Sequence, residues 1–425
     1  QCKALIIGLQ KRGAVVGSSL NTAYLLERLS QTLERLETLM AIFVSNRYLP
    51  RRILLLTGCF ARAAAERHSI SRLWKQSSGL IARSVTQNAG DHGEHYITRD
   101  KKEYWAMFYS AAGGGVLIAL MALFKTYLGS IIDDKVWKGL AEGLNYGFGF
   151  MVIFMLHFTV ATKQPAMTAA RFAEAVEKNP QGKTLNMKLA QLLVDVFRSQ
   201  SVAVLGNVVV AMGLAALIAF VYQHQTGEPL MNSEKIAYQL HRIDPLDGSL
   251  WFAAIAGVWL FCSGIISGYF DNRSNYLNMR MRLAQHPLLK KLMSEKSRVK
   301  FANYMHENYG SLIGNFCFGM LLGLTGLVGY LTHLPLDIRH VAFSSANLGY
   351  SAVSGQFAYP FFLQCIAFVL LIGLVNLIVS FSLTLWVALR SLNTEIDSWW
   401  AIWHEVCQIV KKRPLSLFFP VQLDK

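Results

Sequence analysis

The sequence is poor in charge and contains no familiar catalytic motif. Only 16% of its 425 residues are charged, against roughly 25% in soluble domains, and the mean hydropathy is +0.32. These values exclude a disordered or collagen-like chain and argue against an ordinary soluble enzyme. There is no P-loop, no H-E-x-x-H and no G-x-S-x-G. We therefore predict neither an enzyme nor a bound cofactor or metal.

Cysteines are few and scattered, and none belongs to a C-x-x-C pair. This spacing predicts no disulfide framework and no zinc site. The chain shows no signal peptide and starts at Gln1 rather than Met. We expect it to be part of a longer protein.

Long apolar runs are what the sequence does contain. A bilayer span needs about 20 apolar residues, and six segments qualify. We expect the stretch 344–356, which is rich in Ser, Gly and Asn, to be a loop before the last span. The six predicted spans are Trp105–Phe124, Gly143–Thr162, Ser199–Tyr222, Gly248–Phe270, Tyr309–Leu331 and Tyr359–Leu389.

The basic residues alternate strongly between the loops. Of the 41 Lys and Arg, 35 lie before the first span, in the second and fourth loops, or in the C-terminal tail. Only six lie in the first, third and fifth loops. Because basic residues stay on the cytoplasmic side, this pattern predicts that both termini are cytoplasmic. It also accounts for most of the net charge of +15 without nucleic acid.

Corresponding landmarks recur at intervals of roughly 105–110 residues, the length expected of a repeated unit. Each even-numbered span follows an outer loop with a short helix-like segment, which starts at Asp134, Asn232 or Asp337. An Asp or Asn at these positions suits a helix N-cap. We interpret the pattern as three tandem two-helix hairpins, although any six-span protein with alternating loops shows some periodicity.

The sequence predicts three regions in an all-α protein. Residues 1–103 form a cytoplasmic helical domain, 104–390 the six-helix membrane domain, and 391–425 an amphipathic tail. Apolar residues at heptad spacing predict a helix over 18–45, and a second helix is predicted over about 60–87. The tail carries Trp399, Trp400 and Trp403, which favours an interfacial helix; packing on the cytoplasmic helices is the alternative.

Polar groups cluster where the even-numbered spans leave the membrane. We expect Pro165 to break the second span and to free backbone groups for binding. If the three hairpins surround one axis, these exits form a ring that suits a phosphate or lipid headgroup. The alternative is that each basic residue extends to its own lipid. The candidate residues are His157, Lys163, Gln164, Pro165, Asp271, Asn272, Arg273 and Arg390.

Four amides lie inside predicted spans, where such groups usually join helices through hydrogen bonds. Glycines at 113–115 and in the series 319, 323, 326 and 329 allow the close approach of helix backbones. We predict helix–helix polar contacts at Asn207, Asn315, Gln364 and Asn376.

Three segments resemble the gonococcal-type "site-specific recombinase" family of bacterial membrane proteins. They are His157-Phe-Thr-Val-Ala-Thr-Lys163-Gln-Pro-Ala-Met-Thr-Ala-Ala170, Gly206-Asn207 and Gly268-Tyr-Phe-Asp271-Asn-Arg273. The resemblance implies a Gram-negative inner-membrane protein with a longer N-terminal helical part. The family name implies DNA recombination, but no histidine here is followed by Arg at the third position, as tyrosine recombinases require.

Three hypotheses follow for the function. The first is a non-enzymatic membrane protein that transports, holds or scaffolds a lipid or another anionic amphiphile. The second is a membrane-associated recombination factor, and the third is a structural subunit of a larger membrane complex. Membrane lipids are the expected partners, together with other membrane subunits or further copies of the chain. We expect no sequence-specific DNA binding, because the basic residues are spread over four separate segments.

Overall fold

The chain is described from a computed structural model, which defines residues 5–6, 8–9, 20–44, 50, 53–54, 56–58, 60–61, 98, 100–160, 183–391, 396 and 398–420. Within these residues the regular structure is entirely helical, and no β-strand occurs. The prediction of an all-α protein is therefore confirmed.

The helices are long where the sequence is apolar and short where it is polar. Side-chain caps begin several of them: Asp134 accepts from the N–H groups of Val136 and Trp137, and Asn232 accepts from that of Lys235. The helices are α1 (Leu20–Val44), α2 (Lys101–Ile131), α3 (Lys135–Met155), α4 (Lys183–Thr226), α5 (Ser233–Ile243), α6 (Ser249–Tyr276), α7 (Met279–Gln285), α8 (Pro287–Leu292), α9 (Glu295–Thr332), α10 (Val341–Ser354), α11 (Tyr359–Ser391) and α12 (Trp399–Lys412).

Five of these helices, α2, α4, α6, α9 and α11, are long and apolar enough to cross a membrane. The second predicted span, Gly143–Thr162, is not one continuous helix, because α3 ends at Met155. The chain turns at Leu156 and His157, and His157 has the left-handed φ of 58°. The break lies well before Pro165, where the sequence predicted it. Pro165 itself lies outside the described residues.

Hydrogen bonds replace the helical pairing where α3 ends. The N–H of Thr159 donates to the carbonyl of Ser110 on α2, and the Ser110 hydroxyl donates to the carbonyl of His157. Asn207 of α4 donates to the carbonyls of Thr159 and Ala111. The non-helical backbone is thus paired with neighbouring helices, as apolar surroundings require.

Close contacts define the directions of the helices. Gly206 of α4 lies against Phe108 and Ala111 of α2, and Gly115, further along α2, lies against Ala211. Helices α2 and α4 therefore run in the same direction. Ion-pair and glycine contacts show that α3 runs opposite to both α2 and α9. Glycine contacts and hydrogen bonds show that α6 runs opposite to α9 and parallel to α11. Helices α2, α4 and α9 thus share one direction, and α3, α6 and α11 share the other.

The prediction of a loop at 344–356 is wrong, because most of this stretch belongs to helix α10. It spans Val341–Ser354, and ten of its 14 residues are buried. Its small side chains allow close packing: a Cβ at Gly349 would lie 2.3 Å from the carbonyl oxygen of Met212 on α4. The same composition would suit a loop at the surface, but a buried segment must pair its own backbone groups. The third helix-like segment, predicted from Asp337, begins only at Val341.

The chain divides into two compact units. The first comprises Gln1–Asn88, Tyr269–Tyr309 and Arg390–Asn393, and the second comprises Ala89–Gly268, Gly310–Leu389 and Thr394–Lys425. Helix α1 agrees with the helix predicted over 18–45. The helix predicted over 60–87 lies, apart from residues 60 and 61, outside the described residues.

The C-terminal helix α12 belongs to the second unit. Its Ile402 and Val406 are buried, and the helix packs against α4. Trp399, Trp400 and Trp403 stay exposed on its other side. The tail thus has one packed face and one aromatic outer face.

Candidate functional site

A cavity of about 550 Å³ lies within the second unit. Its walls come from α2, α3, α5, α9, α10 and the segment 336–340 that precedes α10. This volume is within the range of small-molecule binding sites, and exceeds what a single ion needs.

The charge of this cavity is its most distinctive property. All six basic residues of the first, third and fifth loops line it, although these loops are separated by roughly 100 residues in the chain. Only two carboxylates, Glu142 and Asp337, are among its lining residues. The six basic residues are Lys125, Lys135, Lys138, Lys235, Arg242 and Arg339.

One group of charges, the lysine cluster, consists of Lys125, Lys138 and Glu142. The Lys125 Nζ lies 2.9 Å from Glu142 Oε2 and 5.4 Å from the centre of the Tyr146 ring. Lys138 reaches across to α2, where its Nζ lies 3.2 Å from the position that a Cβ of Gly129 would occupy. Because residue 129 has no side chain, α2 leaves room there for a second ammonium group.

A second group, the arginine cluster, consists of Arg242, Asp337 and Arg339. Asp337 Oδ2 lies 2.6 Å from Arg339 Nη1 and 3.3 Å from Arg242 Nη1. Arg339 Nε also donates to the carbonyl of Arg242 over 2.7 Å, and Arg242 donates to the hydroxyl of Tyr238 over 2.7 Å. The cluster ties the end of α5 to the segment before α10.

Asp337 carries its negative charge at neutral pH. Burial alone would raise the pKa of its carboxyl, but the charges of Arg242 and Arg339 outweigh that effect and lower the pKa below its usual value. One carboxylate thus faces two permanently charged guanidinium groups, which leaves the cluster positive.

Aromatic rings and one imidazole form the inner end of the cavity. His340 is 1% exposed and is packed against the rings of Phe150, Phe318 and Phe343. Burial lowers the pKa of His340 to about 4, so the imidazole is neutral at neutral pH. The first turn of α10 also lines this end, and its N-terminal dipole adds to the positive potential.

The predicted cytoplasmic ring is distributed over both units. His157 lies in the second unit, is exposed, and lines a smaller cavity of about 300 Å³ together with Glu103 and Ser110. In the first unit, Asp271 and Asn272 are half-buried on α6, and Arg273 is exposed, with Nη1 3.4 Å from the Tyr269 hydroxyl. Asp271, Asn272, Arg273 and Arg390 all lie in the first unit.

Three of the predicted ring residues, Lys163, Gln164 and Pro165, lie outside the described residues. The convergence of the exits on one ring therefore stays a prediction. None of the described candidate residues is among the lining residues of the basic cavity, which lies at the starts of α3 and α10.

Of the four predicted amides, three are buried. Asn376 of α11 donates to the carbonyls of Ala253 (2.7 Å) and Arg339 (2.9 Å) and accepts from the N–H of Val341. Asn207 joins α2 and α4 as described above, and Asn315 donates to Ser311 within α9. Gln364, in contrast, is exposed on α11.

Among the described residues, no group of three or more His, Cys, Asp or Glu side chains is arranged to hold a metal ion. The chemistry available in the cavity is that of cations, amides and aromatic hydroxyls. Such groups bind anions and orient them through charge-assisted hydrogen bonds.

Sequence reasoning missed this cavity, although a signal was present. In the predicted topology, the six basic residues of the first, third and fifth loops are exceptions to the rule that keeps Lys and Arg on the cytoplasmic side. Residues that break an insertion rule often have a functional reason, and here all six meet in one place.

Comparison with known proteins gives one result at the level of the family. No curated protein and no solved structure matches the chain. The profile of the family described as "Site-specific recombinase" matches residues 1–420, nearly the whole chain. The chain therefore belongs to the site-specific recombinase family.

Proposed function

We propose that this chain is a non-enzymatic integral membrane protein that binds an anionic amphiphile in the basic cavity. The observation that carries the proposal is the convergence of all six outer-loop cations on one cavity with two carboxylates. Buried or half-buried cations in excess are costly unless a ligand brings the missing negative charge. Apolar spanning helices beside the cavity offer a path for the tail of such a ligand.

In the topology that we propose, the cavity opens toward the periplasm. Both termini, and the segments that hold 35 of the 41 basic residues, face the cytoplasm. The membrane is the bacterial inner membrane, as the resemblance implies. The ligand would then come from the outer leaflet or from the periplasm.

The test is equilibrium binding of a fluorescent phosphatidylglycerol to the detergent-purified chain, followed by fluorescence anisotropy, with phosphatidylcholine as the zwitterionic comparison. We expect the anionic lipid to bind at least about tenfold more tightly. Lys138→Gln should weaken binding of the anionic lipid by about tenfold, since a hydrogen bond to a charged group contributes roughly 1.5–3 kcal/mol.

The matched control is Lys290→Gln, which removes an exposed lysine from α8 in the other unit. This variant should bind the anionic lipid as the unmodified chain does. Equal binding of the two lipids, or equal loss in both variants, would contradict the proposal.

Membership of the family favours recombination as a second candidate function. Its test is a salt titration of DNA binding by the same preparation. Non-specific binding is typically 10⁻⁴ to 10⁻⁶ M at physiological salt, whereas a recombination factor would bind its own site far more tightly. Site-specific nanomolar binding would support recombination, and we expect only weak binding that decreases steeply with salt.

A structural subunit of a larger complex is the third candidate. A structural subunit should show no preference for anionic lipids and should co-purify with the other subunits of the complex in a fixed stoichiometry.

A further inference from the structure

The cavity contains two separate positive centres. The lysine cluster combines two ammonium groups with one carboxylate, and the arginine cluster combines two guanidinium groups with one carboxylate. Each carboxylate is engaged by a basic partner at 3.3 Å or less. By formal charge, each cluster has one cation in excess.

The two clusters come from different parts of the fold and face one space. The lysine cluster is built by α2 and α3, and the arginine cluster by α5 and the segment before α10. Arg242 is near enough to Lys125 for their charges to repel each other. A ligand that lies between the clusters would remove this repulsion.

The burial of the arginine cluster makes its excess charge costly. Arg339 is 7% exposed, and its guanidinium carbon lies 4.8 Å from the centre of the Phe252 ring. Asp337 and the carbonyls of Arg242 and Ile338 accept hydrogen bonds from Arg339, but one carboxylate does not balance two guanidinium charges, and a bound anion would supply the missing negative charge. The planar guanidinium also matches the oxygens of a phosphate, whereas an ammonium group acts as a point charge.

On these grounds, and resting on the proposed function, we infer that the ligand carries two phosphate groups, as a diphosphate or as two phosphomonoesters, one facing each cluster. A phosphodiester carries one negative charge and would balance only one of the two centres. A zwitterionic headgroup would place its own cation in an already positive cavity. Lys135, whose Nζ lies 4.1 Å from the centre of the Tyr330 ring, and Lys235 add charge at the exposed rim.

The experiment compares four probes: farnesyl diphosphate, farnesyl monophosphate, inorganic pyrophosphate and inorganic phosphate. Thermal stabilisation of the full chain in detergent gives the affinity of each, because a ligand that binds the folded state raises the unfolding temperature. We expect farnesyl diphosphate to bind about tenfold or more tightly than the monophosphate, as a second charged contact implies.

Two variants test whether each cluster contributes to the preference for farnesyl diphosphate over the monophosphate. Lys138→Gln removes one ammonium group from the lysine cluster. Arg242→Lys keeps the positive charge of the arginine cluster but removes a planar guanidinium group. Each should weaken binding of farnesyl diphosphate more than binding of farnesyl monophosphate and so reduce the preference for the diphosphate toward unity, with Lys290→Gln as the control. If Arg242→Lys fails to fold, Lys138→Gln alone still tests whether the preference for the diphosphate depends on the cavity.

The outcomes separate the two proposals. Equal affinity for the farnesyl monophosphate and diphosphate would overturn the two-phosphate inference and leave anionic-amphiphile binding intact. Stabilisation by none of the four probes, together with no preference for phosphatidylglycerol, would overturn both. Pyrophosphate that binds as tightly as farnesyl diphosphate would support two phosphates, but would identify a free anion instead of a lipid.

Discussion

Single polar side chains hold the irregular backbone of this protein in place. Asn376 pairs with three backbone groups where α10 begins, and Asn207 pairs with the chain just after α3 ends. Each amide offers both donors and an acceptor, which suits it to backbone that has left a helix. In apolar surroundings these groups have no water as an alternative partner.

Replacing Asn376 by Leu should destabilise the fold. The change leaves the carbonyls of Ala253 and Arg339 and the N–H of Val341 without this partner, and each buried group of this kind costs roughly 1–3 kcal/mol. We expect a clear decrease in the unfolding temperature in detergent. Gln364→Leu, at an exposed position of the same helix, should change it little; similar decreases in both variants would argue against the role of Asn376.

His340 should make stability depend on pH between about 4 and 6.5. Burial lowers its pKa to about 4, so over this interval the unfolded chain binds a proton that the folded chain does not. Stability contributed by neutral His340 is complete above pH 6.5 and decreases as the pH falls toward 4, by up to about 3 kcal/mol.

His340→Phe keeps an aromatic ring among Phe150, Phe318 and Phe343 but cannot be protonated. In a pH series of unfolding temperatures, this variant should lose less stability than the unmodified chain between pH 6.5 and 4. Parallel curves for the two proteins would show that His340 is not the group responsible.

At the scale of elements, glycine determines how closely the helices approach. A Cβ at Gly319 would lie 2.2 Å from the carbonyl carbon of Tyr146, and one at Gly323 would lie 2.4 Å from the Cα of Gly143. Helices α9 and α3 therefore touch backbone to backbone. Both helices also contribute residues to the lining of the basic cavity.

Gly319→Ala should force α9 away from α3 and destabilise the fold by about 1–3 kcal/mol, the typical cost of overpacking. Gly213→Ala is the matched control, because no atom lies within 4 Å of the added methyl group. The unfolding temperature should fall for the first variant and stay the same or rise slightly for the second. The reverse order would contradict the proposed packing.

The spanning helices were predictable because length and hydropathy alone identify them. Helix α10 was not, since Ser344, Ser345 and Gly349 suit a surface loop equally well until burial is known. The end of α3 at Met155 was also missed, because neither Gly nor Pro marks positions 156 and 157. The six cations of the cavity stand out in the sequence as exceptions to the insertion rule, but their meeting in one place depends on tertiary packing and could not be predicted.

At the scale of the whole molecule, helix direction bears on the number of membrane crossings. Helices α2 and α4 run in the same direction, so the chain between them must return to its starting side. Helix α3 runs opposite to both, although it is not among the five candidate spans. Six crossings arranged as three hairpins stay a prediction.

Cysteine labelling of spheroplasts tests this topology. A cysteine at the exposed Glu228 should react with a membrane-impermeant maleimide from outside, whereas one at the exposed Lys291 should react only after the membrane is opened. The unmodified chain measures the background from native cysteines. Labelling of Lys291→Cys from outside, or protection of Glu228→Cys, would contradict the six-span arrangement.

Helix α10 also has a consequence for biogenesis. Its serines, its asparagine and its short length make it a poor segment for insertion by itself. Its neighbours are α4, made earlier, and α11, made later, whose Gly373 and Asn376 contact Val341. Because α10 packs on both helices, we expect it to reach its place only after α11 has been synthesised. We accordingly expect the basic cavity to be complete only late in folding.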